Sequence, residues 1–168
     1  MSNGTFVIFG NARQPFVRMV NALLSCTSEL PAPIVVQAGV NAKFFTDASP
    51  NMEVFDRCGE VEFHKKLEGA KIVITHAGVG GVKDCQMFGK YPAVFVRKMA
   101  YNEHIDDHQA EFCEVIKVRD WGVVVDDAAD LSAFINGGRF ASNPKHILAD
   151  GNLKSTLQGD IRRLVGLS

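Results

Sequence analysis

Short runs of β-branched and aromatic residues recur along the chain, and several are apolar at successive positions instead of alternating. The runs are Thr5 to Phe9, Pro33 to Ala38, Met52 to Phe55, Lys71 to His76, Ala93 to Arg97 and Gly122 to Asp126. Continuous apolar runs are typical of strands in a parallel sheet that helices cover on both faces. The pattern therefore predicts six strands of this kind.

Apolar residues at helical spacing occupy most of the intervals between these runs. The five groups are Phe16, Val20, Leu23 and Leu24; Val61, Leu67 and Ala70; Val82, Cys85 and Phe88; Phe112, Val115, Ile116 and Val118; and Leu131, Phe134 and Ile135. The last group follows an acidic start, which favours a helix N-terminus. Alternation of strands and helices predicts an α/β fold with a doubly wound parallel sheet.

The last part of the chain has a different pattern. The segment from Asn136 to His146 is rich in turn-forming residues and is predicted to be a loop. After it, Leu153, Leu157, Ile161 and Leu164 form one apolar helical face. We therefore divide the chain into a Rossmann-like domain at 1–136 and a loop with an amphipathic helix at 137–168, which packs on the domain or on a partner.

Composition narrows the classes of function. The chain has 168 residues, 46% of them hydrophobic, and a formal net charge of -1. This charge gives no general attraction to nucleic acid, so none is expected as a partner. No apolar run approaches the roughly 20 residues that span a bilayer, and the first residues lack a signal-peptide pattern. The four cysteines lie far apart, which favours reduced thiols and a cytoplasmic location.

Two unusual loops are expected to meet if the strands follow the common order 3-2-1-4-5-6. Ligands of such sheets bind at the carboxyl ends of the strands, where the order reverses between strands one and four. The loop after the first strand begins at Gly10, and the loop after the fourth is His76 to Gly81. The binding site is therefore predicted between these two loops.

Glycines in the second loop suggest a phosphate site. Gly78, Gly80 and Gly81 would let a phosphate reach the backbone N–H groups at a helix N-terminus. Asp84, about one turn inside the helix, could accept hydrogen bonds from ribose hydroxyls. A purely structural role for these glycines, in a turn or in close packing, is the open alternative. His76 lies at the end of a strand, and for this residue too a purely structural role is the alternative to a role in binding.

Other chemistries fit the sequence less well. The dinucleotide-binding motif G-x-G-x-x-G/A follows the first strand and has a small residue at its sixth position. Here the glycines follow the fourth strand, and Lys83 stands at the sixth position. His104 and His108 would share a helix face next to Asp107, which leaves a metal-dependent hydrolase as a minor alternative. Asp106 or Asp107 could instead cap that helix. The chain has no G-x-S-x-G motif.

Five segments, read together, resemble a known family. They are "FVIFGNARQPFVRMVNAL", "VVQAG", "IVITHAGVGGVKD", "GKYPAVFVR" and "EHIDDHQAEF". In this order they are similar to the C-terminal, donor-binding domain of family 28 glycosyltransferases, from about Thr5 to Asp127. The Q-P-F segment and the E-H-x-D-D-H-Q run resemble the small subunits of split glycosyltransferases, nearest to bacterial exopolysaccharide galactosyl- and glucuronosyltransferase accessory subunits.

The resemblance implies the Rossmann-like half of a GT-B glycosyltransferase that binds a UDP-sugar. Its glycines at 78, 80 and 81 would face the diphosphate and Asp84 the ribose. The remaining implied contacts to the donor are Gly10, Asn11, His76, Arg97, His104, Asp107, His108 and Gln109. Three residues depart from the family pattern: Asp84 replaces a glutamate, Gly81 a serine or threonine, and Asn11 a threonine.

The resemblance also implies a reaction and a partner. It implies a single inverting displacement that transfers a hexose to a lipid-linked saccharide in polysaccharide biosynthesis, without a metal or cofactor. A separate, membrane-associated subunit would bind the acceptor, supply the general base, and recruit this chain from the cytoplasm to the membrane. His108 is the alternative base. A non-catalytic subunit that only enhances a membrane-associated glycosyltransferase is the competing hypothesis.

Overall fold

The computed structural model describes residues 4–46, 51–105 and 108–141. The strands are β1 (Thr5–Ile8), β2 (Ile34–Gln37), β3 (Met52–Phe55), β4 (Ile72–His76), β5 (Ala93–Phe95) and β6 (Val123–Val125). The α-helices are α1 (Val17–Ser25), α2 (Glu60–Gly69), α3 (Val79–Met87), α4 (His108–Arg119) and α5 (Ala128–Gly137). Short 3₁₀ helices are Thr27–Glu29, Gly39–Phe44, Met99–Tyr101 and Arg139–Ala141.

All six strands are parallel and lie in the order β3-β2-β1-β4-β5-β6. This confirms the predicted doubly wound α/β fold and its strand order. In the register at the centre of the sheet, Val7 of β1 lies between Val36 of β2 and Ile74 of β4. The order reverses between β1 and β4, so the loops that follow these two strands lie side by side at the carboxyl edge of the sheet.

Hydrophobic clusters cover both faces of the sheet, which explains the continuous apolar runs in the sequence. Along β1, Val7 packs into the cluster beneath α1 and α5, whereas Phe6 and Ile8 pack into the cluster beneath α2 and α3. A third cluster joins α4 to β5 and β6 around Trp121. Successive side chains of a strand point to opposite faces, so each strand of a doubly covered sheet must be apolar throughout.

Three residues of the predicted apolar stripes are exposed, and these predictions were wrong. Leu24 is 40% exposed, Val61 is 71% exposed and Val118 is 66% exposed. Residues of an α-helix advance by about 100° each, so positions four apart share a face. In α2 the buried face carries Phe63 and Leu67, and Val61 lies away from both. In α4 the buried face carries Ile116, and Val118 points to the opposite side.

Side chains close the amino edge of the sheet. Lys90 donates from Nζ to the carbonyls of Glu68 and Ala70, at 2.8 and 2.7 Å, and so caps the end of α2. Arg139 donates to the hydroxyl of Tyr91 and to Asp120, at 2.7 and 3.1 Å. Lys90 and Arg139 at this edge are therefore paired with other parts of the same chain.

Helix α5 runs through Gly137 and a 3₁₀ helix follows it, where the sequence predicted a loop from Asn136. At its N-terminus Asp127 accepts a hydrogen bond from the N–H of Asp130, which agrees with the acidic helix start in the sequence.

The predicted amphipathic helix at 153–164 lies outside the described residues. None of the helices in the described ranges has the length and apolar character needed to cross a bilayer.

Candidate functional site

A cavity of about 490 Å³ opens at the carboxyl edge of the sheet, between the loops that follow β1, β3 and β4. Its size is within the usual range of small-molecule sites. The lining residues are Ile8, Gly10, Asn11, Gln37, Arg57, Cys58, Glu60, Phe63, His76, Gly80, Gly81 and Asp84. Six of them belong to the set that the sequence predicted, and the cavity lies at the predicted reversal of strand order.

Gly10 and Gly78 allow the ring of His76 to lie between the two loops. A Cβ atom on Gly10 would lie 1.8 Å from Nε2 of His76, and one on Gly78 would lie 2.0 Å from its Cε1. Gly10 also has a φ of 75°, in the left-handed region. These two glycines therefore have a structural role, in close packing around one side chain.

His76 is held as a neutral ring with a defined tautomer. Burial is the main reason that its pKa falls to about 3, with smaller effects from the charges of Arg97 and His104. Its Nδ1 accepts a hydrogen bond from the N–H of Gly78 at 2.8 Å. A neutral ring that accepts at Nδ1 carries its proton on Nε2, so His76 is a hydrogen-bond donor at the cavity wall.

Helix α3 begins beside the cavity without a side-chain cap. Gly78 is its N-cap residue, and the first N–H bonded within the helix is that of Val82, which donates to the carbonyl of Gly78 at 3.1 Å. The N–H groups of Val79, Gly80 and Gly81 precede it and have no acceptor within the helix. A Cβ atom on Gly80 would contact nothing within 4 Å. Gly80 therefore leaves space where an anion could approach these donors.

Asp84 lies one turn further along α3, half-buried, and lines the same cavity as Gly80 and Gly81. Burial raises the pKa of its carboxyl group, and the charges of His64 and Lys83 act in the opposite direction. The cavity thus has hydrogen-bond donors at the helix N-terminus and an acceptor one helical turn away. This arrangement suits a ligand with an anionic group next to a hydroxylated one.

The sequence analysis missed Gln37, which is buried and lines the cavity. Its Oε1 accepts from the N–H of Gly10 at 3.1 Å, and its Nε2 donates to the carbonyl of Asp56 at 2.8 Å. It therefore joins the loops after β1 and β3. An amide at the last position of a buried strand, next to the reversal of strand order, was the signal available in the sequence. Arg57, Cys58, Glu60 and Phe63 were also missed, and no motif marks them.

Arg97 does not line the cavity but lies beneath it, 1% exposed. Its guanidinium donates to the carbonyls of Phe9, Gln14 and Glu103, and its carbon Cζ lies 4.5 Å from the centre of the Phe16 ring. Burial lowers its pKa to about 10, which leaves it charged at neutral pH. This geometry favours an internal crosslink between loops over the predicted contact to UDP.

The remaining predicted residues surround the loop before α4. The Gln109 side chain accepts from the N–H of Arg97 at 3.2 Å. His108 is exposed at the start of α4, 3.7 Å from a carboxylate oxygen of Glu111. Neither of them lines the cavity, and His104, which is half-buried, does not line it either. Asp107 lies outside the described residues, so its predicted role stays a prediction.

The described part of the chain contains no group of three histidine, cysteine or acidic side chains that could hold a metal ion. The metal hypothesis for His104 and His108 also involved Asp107, which the structure does not describe. Cys26, Cys85 and Cys113 are buried free thiols, whereas Cys58 is half-exposed at the cavity.

The sequence profile described as "Glycosyltransferase family 28 C-terminal domain" matches residues 7–129. The chain belongs to this family. The match includes the loop after β1, the α3 N-terminus and the loop before α4, and so agrees with the resemblance found in the sequence. A search of curated protein sequences found no match.

Solved structures with a similar fold include glycosyltransferases. The solution structure of ALG13 has a TM-score of 0.61 at 14% identity, with 99% of this chain and 96% of ALG13 covered. The calicheamicin glycosyltransferase CalG4 has a TM-score of 0.61 at 17% identity, covering 95% of this chain and 37% of CalG4. A Methanocaldococcus jannaschii UDP-GlcNAc 2-epimerase, solved with UDP-GlcNAc and UDP, has a TM-score of 0.63 at 11% identity, covering 99% of this chain and 46% of the epimerase.

These likenesses confirm the Rossmann-like fold of one half of a GT-B glycosyltransferase. The chain spans less than half of CalG4 and of the epimerase, but nearly all of ALG13. In length it therefore corresponds to one domain of the larger proteins.

Proposed function

We propose that this chain is the UDP-sugar-binding subunit of a two-component inverting glycosyltransferase. The observation that carries the proposal is the cavity at the uncapped N-terminus of α3, which Asp84 also lines, one turn along the helix. The donors at Gly80 and Gly81 suit a diphosphate, and the carboxylate suits the ribose hydroxyls. Family membership supports the assignment to glycosyl transfer.

In this proposal the main contribution of the chain to the reaction is electrostatic. An acceptor hydroxyl attacks the anomeric carbon, the bond from that carbon to the β-phosphate oxygen breaks, and UDP leaves. Negative charge grows on the diphosphate as this bond breaks. The partial positive charge at the α3 N-terminus and the Nε2–H of His76 stabilise that charge without a metal ion.

The proposal includes a second subunit, which carries the acceptor site. We propose that a membrane-associated partner binds a lipid-linked acceptor, supplies the general base, and brings this chain to the membrane. The similarity to ALG13 over 96% of that protein supports a subunit of this size. Assignment to exopolysaccharide synthesis, and to a hexose as the donated sugar, belongs to the proposal and rests on the Q-P-F and E-H-x-D-D-H-Q segments.

Binding of UDP to the isolated chain tests the donor site. Calorimetric titration should show one site, and hydrogen exchange should show slower exchange at Val79, Gly80 and Gly81 when UDP is present. Protection elsewhere, or no binding to this chain and its partner together, would contradict the proposal.

One observation favours the alternative of a non-catalytic enhancer. The cavity lining contains one cation, Arg57, against the two carboxylates of Glu60 and Asp84, so its side chains carry little positive charge for a diphosphate. An enhancer would leave the α3 N-terminus unprotected when UDP-sugar is added to the complete complex. A donor subunit would protect it.

A further inference from the structure

The first part of the loop between β5 and α4, residues 96–105, leaves the sheet beside His76. Phe95, the last residue of β5, pairs with His76 of β4, and its carbonyl accepts a hydrogen bond from the N–H of Ala77 at 2.8 Å. His76 lines the cavity next to the α3 N-terminus, so this part of the loop starts beside the cavity wall, although its own residues do not line the cavity. If the diphosphate lies at that N-terminus, the loop is in the position to contact the sugar attached to it.

A buried ion pair holds this loop against α1. Arg18 donates from Nε and Nη2 to the two carboxylate oxygens of Glu103, at 3.2 and 2.8 Å. Glu103 is only 4% exposed, and it also accepts from the backbone N–H of Lys98 at 3.0 Å. Two parallel bonds between a guanidinium and a carboxylate fix orientation as well as distance.

Both arginines of this region act on the same residue. Arg97 donates from Nη1 to the backbone carbonyl of Glu103 at 3.0 Å, while Arg18 holds its side chain. Arg18 also donates to the carbonyls of Val96 and Asp126, which follow β5 and β6. Glu103, immediately before His104, is thus held through its main chain and its side chain.

We propose that Arg18 and Glu103 are positioning residues that hold residues 96–105 of the β5–α4 loop, and with them His104, next to the donor sugar. The proposal rests on the proposed function. A buried ion pair contributes little net stability compared with apolar side chains of similar size, but it specifies one arrangement. Its expected effect is therefore on recognition of the sugar and not on binding of the nucleotide.

The test compares UDP with UDP-sugars on the isolated chain. Titrations with UDP, UDP-glucose, UDP-galactose, UDP-N-acetylglucosamine and UDP-glucuronate give a ratio of Kd for UDP to Kd for the best UDP-sugar. Arg18→Met and Glu103→Ala should each lower this ratio by about tenfold, the size of one well-placed hydrogen bond, and leave Kd for UDP within about twofold. Arg18→Lys, which keeps the charge without the two parallel bonds, should lower it less.

A matched control breaks another arginine–carboxylate pair far from the cavity. Arg139→Met removes the ion pair with Asp120 at the amino edge of the sheet and should leave both affinities unchanged. An unchanged ratio in Arg18→Met and Glu103→Ala, with folding intact by thermal unfolding, overturns the positioning role. An equal loss of UDP and UDP-sugar affinity also overturns it. Absence of UDP binding to the wild-type chain would instead count against the proposed function.

Discussion

The two edges of the sheet are built differently, although the same six strands form both. At the amino edge, long side chains such as Lys90 and Arg139 close on carbonyls and carboxylates of the same chain. At the carboxyl edge, glycines at 10, 78 and 80 carry no side chain, and Gly80 and Gly81 at the uncapped start of α3 line a cavity. Lys90 and Arg139 thus have partners within the chain, whereas the start of α3 leaves N–H donors for a ligand.

This difference separates motifs that look equally distinctive in the sequence. The G-K-x-P segment contributed to the family resemblance as much as the H-A-G segment did. In the structure Lys90 caps α2 at the amino edge, whereas His76 lines the cavity and accepts a hydrogen bond from the N–H of Gly78. Membership of a motif therefore does not identify a binding residue, because part of the motif maintains the fold.

The largest expected effect on stability comes from adding a side chain at Gly10, where the ring of His76 leaves no space for a Cβ atom. Gly10→Ala should lower the free energy of unfolding by about 3 kcal/mol, because it adds a steric clash to a left-handed backbone. It should also abolish UDP binding. Urea denaturation and calorimetry measure the two effects.

A double variant separates the clash from the backbone strain. The double variant Gly10→Ala, His76→Ala should lose less free energy of unfolding than the sum of the losses in the two single variants. The reason is that His76→Ala removes the ring that the new Cβ atom would meet. Gly137→Ala is the matched control, since a Cβ there meets nothing within 4 Å. Additive effects would contradict this account of Gly10.

The next effect is a dependence of stability on pH that comes from His76. Its folded pKa of about 3 lies below the ordinary histidine pKa of 6.5, so the unfolded chain binds a proton first as the pH falls. Between these two values this residue should lower the free energy of unfolding by about 1.4 kcal/mol per pH unit. Its contribution is constant above the unfolded pKa.

Replacing His76 with glutamine tests this dependence, because its amide oxygen can still accept the N–H of Gly78. The variant should have a shallower loss of stability than the wild type between pH 6 and 4 in urea denaturation. Gly137→Ala, which changes no titratable group, is the control and should keep the wild-type slope. Equal slopes for wild type and His76→Gln would refute the assignment.

A smaller effect is expected from opening the amino edge. Lys90→Met removes the charged donor to two carbonyls at the end of α2 and should cost about 2 kcal/mol of stability. UDP affinity should not change, because Lys90 lies at the opposite edge from the cavity. A loss of UDP affinity without a loss of stability would contradict the division between the two edges.

The smallest effect on stability, with a clear effect on binding, is expected at the mouth of the cavity. In Gly80→Ala the new methyl group meets no protein atom, so stability should stay within about 0.5 kcal/mol of the wild type or rise slightly. The methyl group occupies space in front of the helix N–H groups and should weaken UDP binding by about tenfold. Wild-type affinity in this variant would place UDP elsewhere.

The sequence predicted the six strands because a continuous apolar run recurs in each of them. The expected strand order followed from the alternation of strands and helices, which is typical of a doubly wound sheet. The predicted β3 has the observed limits, Met52–Phe55, and the others differ by one or two residues at an end. The predicted run at Ala93 to Arg97 ends earlier, at Phe95, because the chain leaves the sheet there and the carbonyl of Val96 accepts from Arg18. Periodicity does not report where a chain leaves a sheet.

The candidate site was predicted only in part. Glycines after a strand are a local signal, and they led to the α3 N-terminus. Gln37 and Arg97 act through bonds to residues far along the chain, such as Gly10 and Gln14. No local pattern distinguishes a side chain that lines a cavity from one that lies under it, and for this reason Arg97 was predicted to contact UDP.

By itself, the sequence determined the class of fold, the reversal of strand order and the bare backbone at the start of α3, because burial and backbone freedom depend on residue type. The tertiary structure alone decided that His76 lies between two glycines, that Gln37 joins two loops, and that Arg18 and Arg97 meet at Glu103. These contacts depend on distances between residues that are remote in the chain, and only packing of the whole domain sets such distances.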